Sequence, residues 1–101
     1  MISRSAVSLL LALGSTTTGA ALAQDAGTVR LLAANCANCH GTDGKSQGGV
    51  PTLSGQSKSK LLQDLQEFKA GKRSATIMHQ IAKGYTDAEI DALAGYFAVQ
   101  K

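Results

Sequence analysis

The feature that most constrains the fold is a five-residue run, Cys36-Ala37-Asn38-Cys39-His40. The C-x-x-C-H spacing places two thiols and an imidazole within little more than one helical turn. Two thiols at this separation can each add to one vinyl group of a haem and form thioethers, and the histidine that follows then stands beneath the iron as an axial ligand. A chain built around such a site must leave room for a large flat group and wrap it in apolar side chains.

Other uses of the same cysteines are weaker. A disulfide between them closes a very short loop and restricts the unfolded chain little. A thioredoxin-like centre needs a βαβ setting, and nothing here reads as a strand. Structural zinc wants four ligands. Cys36, Cys39, His40 and His79 could supply them, yet the small domain would still lack a core.

Residues 1–23 carry the marks of a secretory signal: Arg4, an apolar run from Ala6 to Leu13, polar residues from Ser15, and Ala21 and Ala23 in an A-x-A pattern. The competing reading is a membrane anchor, but the run falls well short of the roughly 20 residues that span a bilayer. The reading therefore assigns residues 1–23 to a signal peptide and 24–101 to one domain, exported to the periplasm with no membrane span after cleavage. Removing residues 1–23 from the 101 leaves 78. A chain that short commonly needs a staple or a cofactor to complete its core. Its aromatic residues are only Phe68, Tyr85, Tyr96 and Phe97. Without Arg4, nine basic residues face seven acidic ones; they are interspersed, which gives a nucleic-acid surface no support.

Periodicity predicts an all-α fold of short helices. Val29, Leu32, Ala33 and Cys36 form a stripe that runs into the cysteine motif. Gly41, Gly44, Gly48, Gly49 and Pro51 mark a loop expected to have no regular structure. Ser57 caps a helix with Leu61, Leu62, Leu65 and Phe68 inward, Asp64, Glu67 and Lys69 outward, and Gly71 at its stop. A third segment, Ala75 to Ala82, is expected to make one or two turns before Gly84. Thr86 and Glu89 form a capping box ahead of the stripe Ile90, Leu93, Ala94 and Phe97.

Two residues compete for the second axial position. Met78 is the only methionine after residue 23, and His79 is the only other histidine. A lone methionine in an apolar segment is usually core filler. Beside a haem motif, a thioether ligand suits an electron carrier and raises the reduction potential. Pro51 could use its carbonyl to accept a hydrogen bond from the outward nitrogen of His40, fixing the ring.

The order of helix, CANCHG, glycine-rich loop, Pro51, helix, Met78 and a final helix with Tyr96-Phe97 resembles the class I cytochromes c over nearly all of residues 24–101. The resemblance implies a small cytochrome c fold around one covalent haem c. In it Cys36, Cys39, His40 and Met78 bind the cofactor, and His40 and Met78 bind the iron. It also implies that the first and last helices cross, with Gly27, Val29, Arg30 and Leu31 against Leu93, Tyr96 and Phe97. The stretch from Phe68 to Thr86 is similar to the cytochrome subunits of flavocytochrome c sulfide dehydrogenase, which take electrons from a flavoprotein. Relatives of those subunits often have a proline where Ser74 stands, and some hold two haems; this sequence has one motif.

The function expected is single-electron transfer, with no catalytic residues and no enzyme activity in this chain. Its partner would be a separate flavoprotein sulfide dehydrogenase subunit; the alternative is a freestanding shuttle to a terminal oxidase or reductase. Lys45, Lys58, Lys60, Lys72, Arg73 and Lys83 are candidates for a charged docking rim. A ligand-binding haem sensor would require that Met78 not bind iron.

Overall fold

Four helices line up in the computed structural model, which describes residue 14 and residues 25–101: α1 (Ala26–His40), α2 (Lys58–Lys69), α3 (Met78–Lys83) and α4 (Asp87–Ala98). No strand occurs among the described residues, and the all-α expectation holds. The expected signal segment lies outside the described residues.

Helix α1 is longer than its apolar stripe. Asp25 caps it, accepting from the Thr28 backbone N–H at 2.8 Å; that bond holds the Asp25 carboxyl below its ordinary range. Its far end carries the whole cysteine motif on helical backbone and closes at Gly41, whose N–H donates to the Ala37 carbonyl.

The following loop, expected to have no regular structure, contains a short 3-10 turn at Thr42–Gly44. Two glycines make it possible. At Gly41 (φ 86°) a Cβ would lie 2.0 Å from the Lys45 carbonyl oxygen. At Gly44 (φ 78°) one would lie 2.7 Å from the Phe97 ring and 2.9 Å from Leu53. The carbonyl of Gly44 accepts from Leu53 and Ser54, folding the loop back under α4.

Ser57 caps α2 through the Lys60 N–H. Leu61 is buried, and Leu62 and Leu65 pack against the core. The supposed outer face of α2 is less exposed than its pattern suggests. Lys69 is half-buried and donates to the Tyr85 carbonyl at 2.7 Å and to Asp87 at 3.0 Å, tying α2 to the start of α4. Asp64 is also half-buried. The third helix begins at Met78 rather than Ala75. Ile77, its N-cap, offers no capping side chain, so residues 75–77 stay outside the helix.

Helix α4 matches its pattern throughout. Thr86 and Glu89 exchange both capping-box bonds, and Ile90, Leu93, Ala94 and Phe97 are buried. Burying side chains of this size contributes about 1.5–3 kcal/mol for each large one. Helix α4 packs on α1 and α2, and α2 packs on α3. The α1–α4 contact differs in detail from the one implied by resemblance. Ala33 joins Leu93, Ala94 and Phe97 in the core, whereas Leu31 is 75% exposed and points away. A Cβ at Gly27 would meet only the Asp25 carboxylate, not α4. Residue 31 sits between the buried positions 29 and 33 on a helix, and 3.6-residue periodicity turns it outward.

Candidate functional site

The helices enclose a cavity of about 450 Å³, within the range of roughly 300–1,000 Å³ usual for small-molecule and cofactor sites. Cys36, Cys39 and His40 from α1, Pro51 and Leu53 from the loop, Leu61, Leu65 and Phe68 from α2, Met78 and Ile81 from α3, and Leu93 and Phe97 from α4 all line it. Residues far apart in sequence thus meet on one apolar wall. His79 is not on that wall, and its Nδ1 is buried without a hydrogen-bond partner among the described residues.

The His40 ring is fixed from behind. Its Nδ1 lies 2.7 Å from the Pro51 carbonyl oxygen. A carbonyl only accepts, so Nδ1 carries a proton; in the neutral ring this leaves the Nε2 lone pair free, the tautomer a metal ligand needs. The bond also increases the donor strength of the ring.

Tyr85 escaped sequence reasoning as a site residue. It is buried, lines the cavity, donates to the Leu32 carbonyl at 3.0 Å and accepts from the Asn35 amide at 3.3 Å. It therefore pins the segment after α3 onto α1 one turn before Cys36. Burial raises the pKa of the Tyr85 hydroxyl, and burial likewise raises that of the Cys36 thiol. Only its position before the Thr86 cap hinted at a fixed role. Gln56 escaped as well. Its amide nitrogen donates to the Thr52 carbonyl, and its Oε1 is buried on the cavity wall without a partner among the described residues.

Of the charged residues expected around the rim, Lys60 and Arg73 line the cavity, together with Asp64. Lys58 pairs instead with Asp91 at 3.3 Å. Lys45, Lys72 and Lys83 are exposed and form no ion pair among the described residues.

A haem fits these residues. The walls are apolar, both thiols stand on one edge, and His40 is held in the ligating tautomer. Met78 also lines the cavity. The zinc alternative finds no such assembly, because no group of three or more His, Cys, Asp or Glu placed to hold a metal occurs among the described residues.

Comparison with known proteins gives the same direction. The family model described as "Cytochrome c" matches residues 19–99. The chain is 45% identical over 67 residues to the cytochrome subunit of sulfide dehydrogenase from Chlorobaculum tepidum, covering 66% of this chain and 61% of that one. It is 41% identical over 96 residues to cytochrome c4 of Pseudomonas aeruginosa, covering 94% of this chain and 47% of that one. With cytochrome c-553 of Helicobacter pylori the identity is 36% over 75 residues, covering 72% of this chain and 78% of the relative. The chain thus spans only 61% and 47% of the lengths of the first two relatives. With a family model matched across most of its length and a C-x-x-C-H motif opening onto an apolar cavity, the chain belongs to the cytochrome c family, whose cofactor is a covalently bound haem c.

Proposed function

We propose that residues 24–101 form a one-haem electron-transfer domain in which Cys36 and Cys39 hold the haem by thioethers and His40 and Met78 ligate its iron. One observation carries the reading: Cys36, Cys39, His40 and Met78 share a single apolar cavity, with His40 already oriented by Pro51. When bound, the haem supplies a one-electron ferric–ferrous change. The chain supplies attachment, a thioether ligand that favours a high potential, and a low-polarity shell. With His40 and Met78 both holding the iron, small-molecule chemistry there would be suppressed.

Residues 1–23 act as a secretory signal in this reading, so the working compartment is the periplasm. The electron donor is a separate flavoprotein of the sulfide dehydrogenase type. The 45% identity to the cytochrome subunit of such an enzyme and the likeness of the Phe68 to Thr86 stretch support that donor. The second reading, a freestanding shuttle, draws support from the similarity to cytochrome c4 and cytochrome c-553.

Affinity purification at moderate salt separates the two. Co-purification of a flavoprotein, and haem reduction by sulfide only in its presence, supports the subunit. A lone monomer reduced equally well by unrelated donors establishes the shuttle.

A further inference from the structure

The segment between α2 and α3 carries Met78 to the cavity, and it is held by surprisingly little. From Arg73 to Ile77 there is no regular helix. Among the described residues, the Ile77 carbonyl accepts from Gln80 and Ile81 of α3, and the hydrogen bonds and ion pairs that tie this stretch to any other helix all come from one side chain, that of Arg73. Its guanidinium donates to Asp64 Oδ1 at 2.5 Å and lies 3.6 Å from Glu67 Oε2. Its Cζ also stands 5.2 Å above the centre of the Phe68 ring. All three contacts are on α2, one face of which forms the cavity wall. Asp64 is in turn held by Lys60 at 2.7 Å, so the acceptor is itself prepositioned.

Geometry of this kind suits arginine and not lysine. A planar guanidinium can present an edge to a carboxylate while its face rests on an aromatic ring. Asp64, Phe68, Arg73, Thr76, Ile77 and Met78 all border the same cavity, so a displacement of the strap displaces Met78 directly.

We propose that Arg73, clamped by Asp64, Glu67 and Phe68, is a positioning residue that latches the 73–77 strap over the cavity and thereby sets how often Met78 withdraws from it. The inference rests on Met78 as the iron ligand. The latch governs replaceability on that side: when it opens, the strap swings out and an external ligand can take the place of the sulfur.

The test uses ferric holoprotein and imidazole as the external ligand, following loss of the weak red absorption band that reports methionine sulfur on iron. Arg73→Ala and Asp64→Asn should raise the limiting rate of imidazole entry about three- to tenfold, the span expected of a part-exposed ion pair reinforced by a ring. Arg73→Lys, which keeps the charge but loses the fork, should restore part of the wild-type rate. Entry into wild type should quicken with added salt, and entry into Arg73→Ala should not.

Thr86→Ala, which weakens the fold at the α4 cap and touches none of the latch contacts, controls for general destabilisation and should leave the entry rate unchanged. If Arg73→Ala does not mature, Asp64→Asn and the salt series on wild type carry the test. Equal rates in wild type and Asp64→Asn, with no salt dependence, overturn the latch. Absence of the red band from wild type, with imidazole entry already fast, overturns the Met78 assignment instead.

Discussion

The two sides of the cavity are built differently. On the His40 side, ligand and cysteines lie on α1, the ring is bonded to Pro51, and the loop behind it is fixed by the tight approach of Gly44 to Phe97 and Leu53. On the Met78 side, the ligand candidate opens a six-residue helix reached through a strap whose polar ties to α2 come from a single arginine. One side is redundant and the other hangs on few contacts. Redundant support makes a site permanent, and sparse support leaves it replaceable, since local opening costs least where buried contacts and backbone bonds are fewest.

The largest effect should follow from attacking the permanent side. His40→Ala removes the ligand and the bond to Pro51 together, and mature holoprotein should be lost or misligated; yield and absorption spectrum of the exported protein check this. Wild-type spectra from that variant would place the proximal ligand elsewhere.

Met78→Ala should be milder. The haem stays attached, the red band disappears, imidazole binds without a slow opening step and the reduction potential falls. A wild-type spectrum that lacks the band and is unchanged by Met78→Ala would move the ligand to His79, although that side chain is off the cavity wall.

Tyr85→Phe tests the brace between the sides, because Tyr85 follows α3 and bonds to α1. Loss of its two bonds should cost about 1–2 kcal/mol in denaturant unfolding at neutral pH. The pH dependence has a definite sign. The native Tyr85 pKa is raised above its unfolded value, so stability from the neutral hydroxyl is fully present below pH ~10 and is lost as pH rises through the native value. The variant should lose less stability between pH ~8 and ~11 than wild type. A residual loss is expected from Tyr96, whose hydrogen bond to Asp43 raises its pKa as well.

Thr86→Ala should have the smallest effect, about 1 kcal/mol through the lost cap, with ligand-field spectra unchanged. A spectral change like that of Met78→Ala would mean that the α4 cap, not the strap, controls the Met78 side.

The contrast between the sides also explains what the sequence made legible. The proximal side is local. Cys36, Cys39 and His40 are neighbours on one helix, Pro51 is eleven residues on, and the α4 cap and stripe are short-range patterns that tertiary context did not alter. What was hidden depends on contacts between distant segments. Tyr85 reaches Leu32, 53 residues away, and Arg73 reaches Asp64 across the end of a helix. No period or spacing encodes either. Lys69 and Asp64 looked like solvent-facing charges because a helical pattern records which face is apolar, not which polar groups a later segment will cover. Leu31 was misplaced for a related reason, since resemblance supplied the contact and the helical phase of this particular α1 decided against it.

The most direct test of the central claim is the mass of one tryptic peptide. Cleavage after Arg30 and Lys45 releases residues 31–45, which hold both cysteines and His40. From mature protein denatured and extracted with acid, the account predicts that this peptide carries the mass of one haem and no free thiol. Recovery of residues 31–45 without added mass, as free thiols or as a Cys36–Cys39 disulfide, would contradict it.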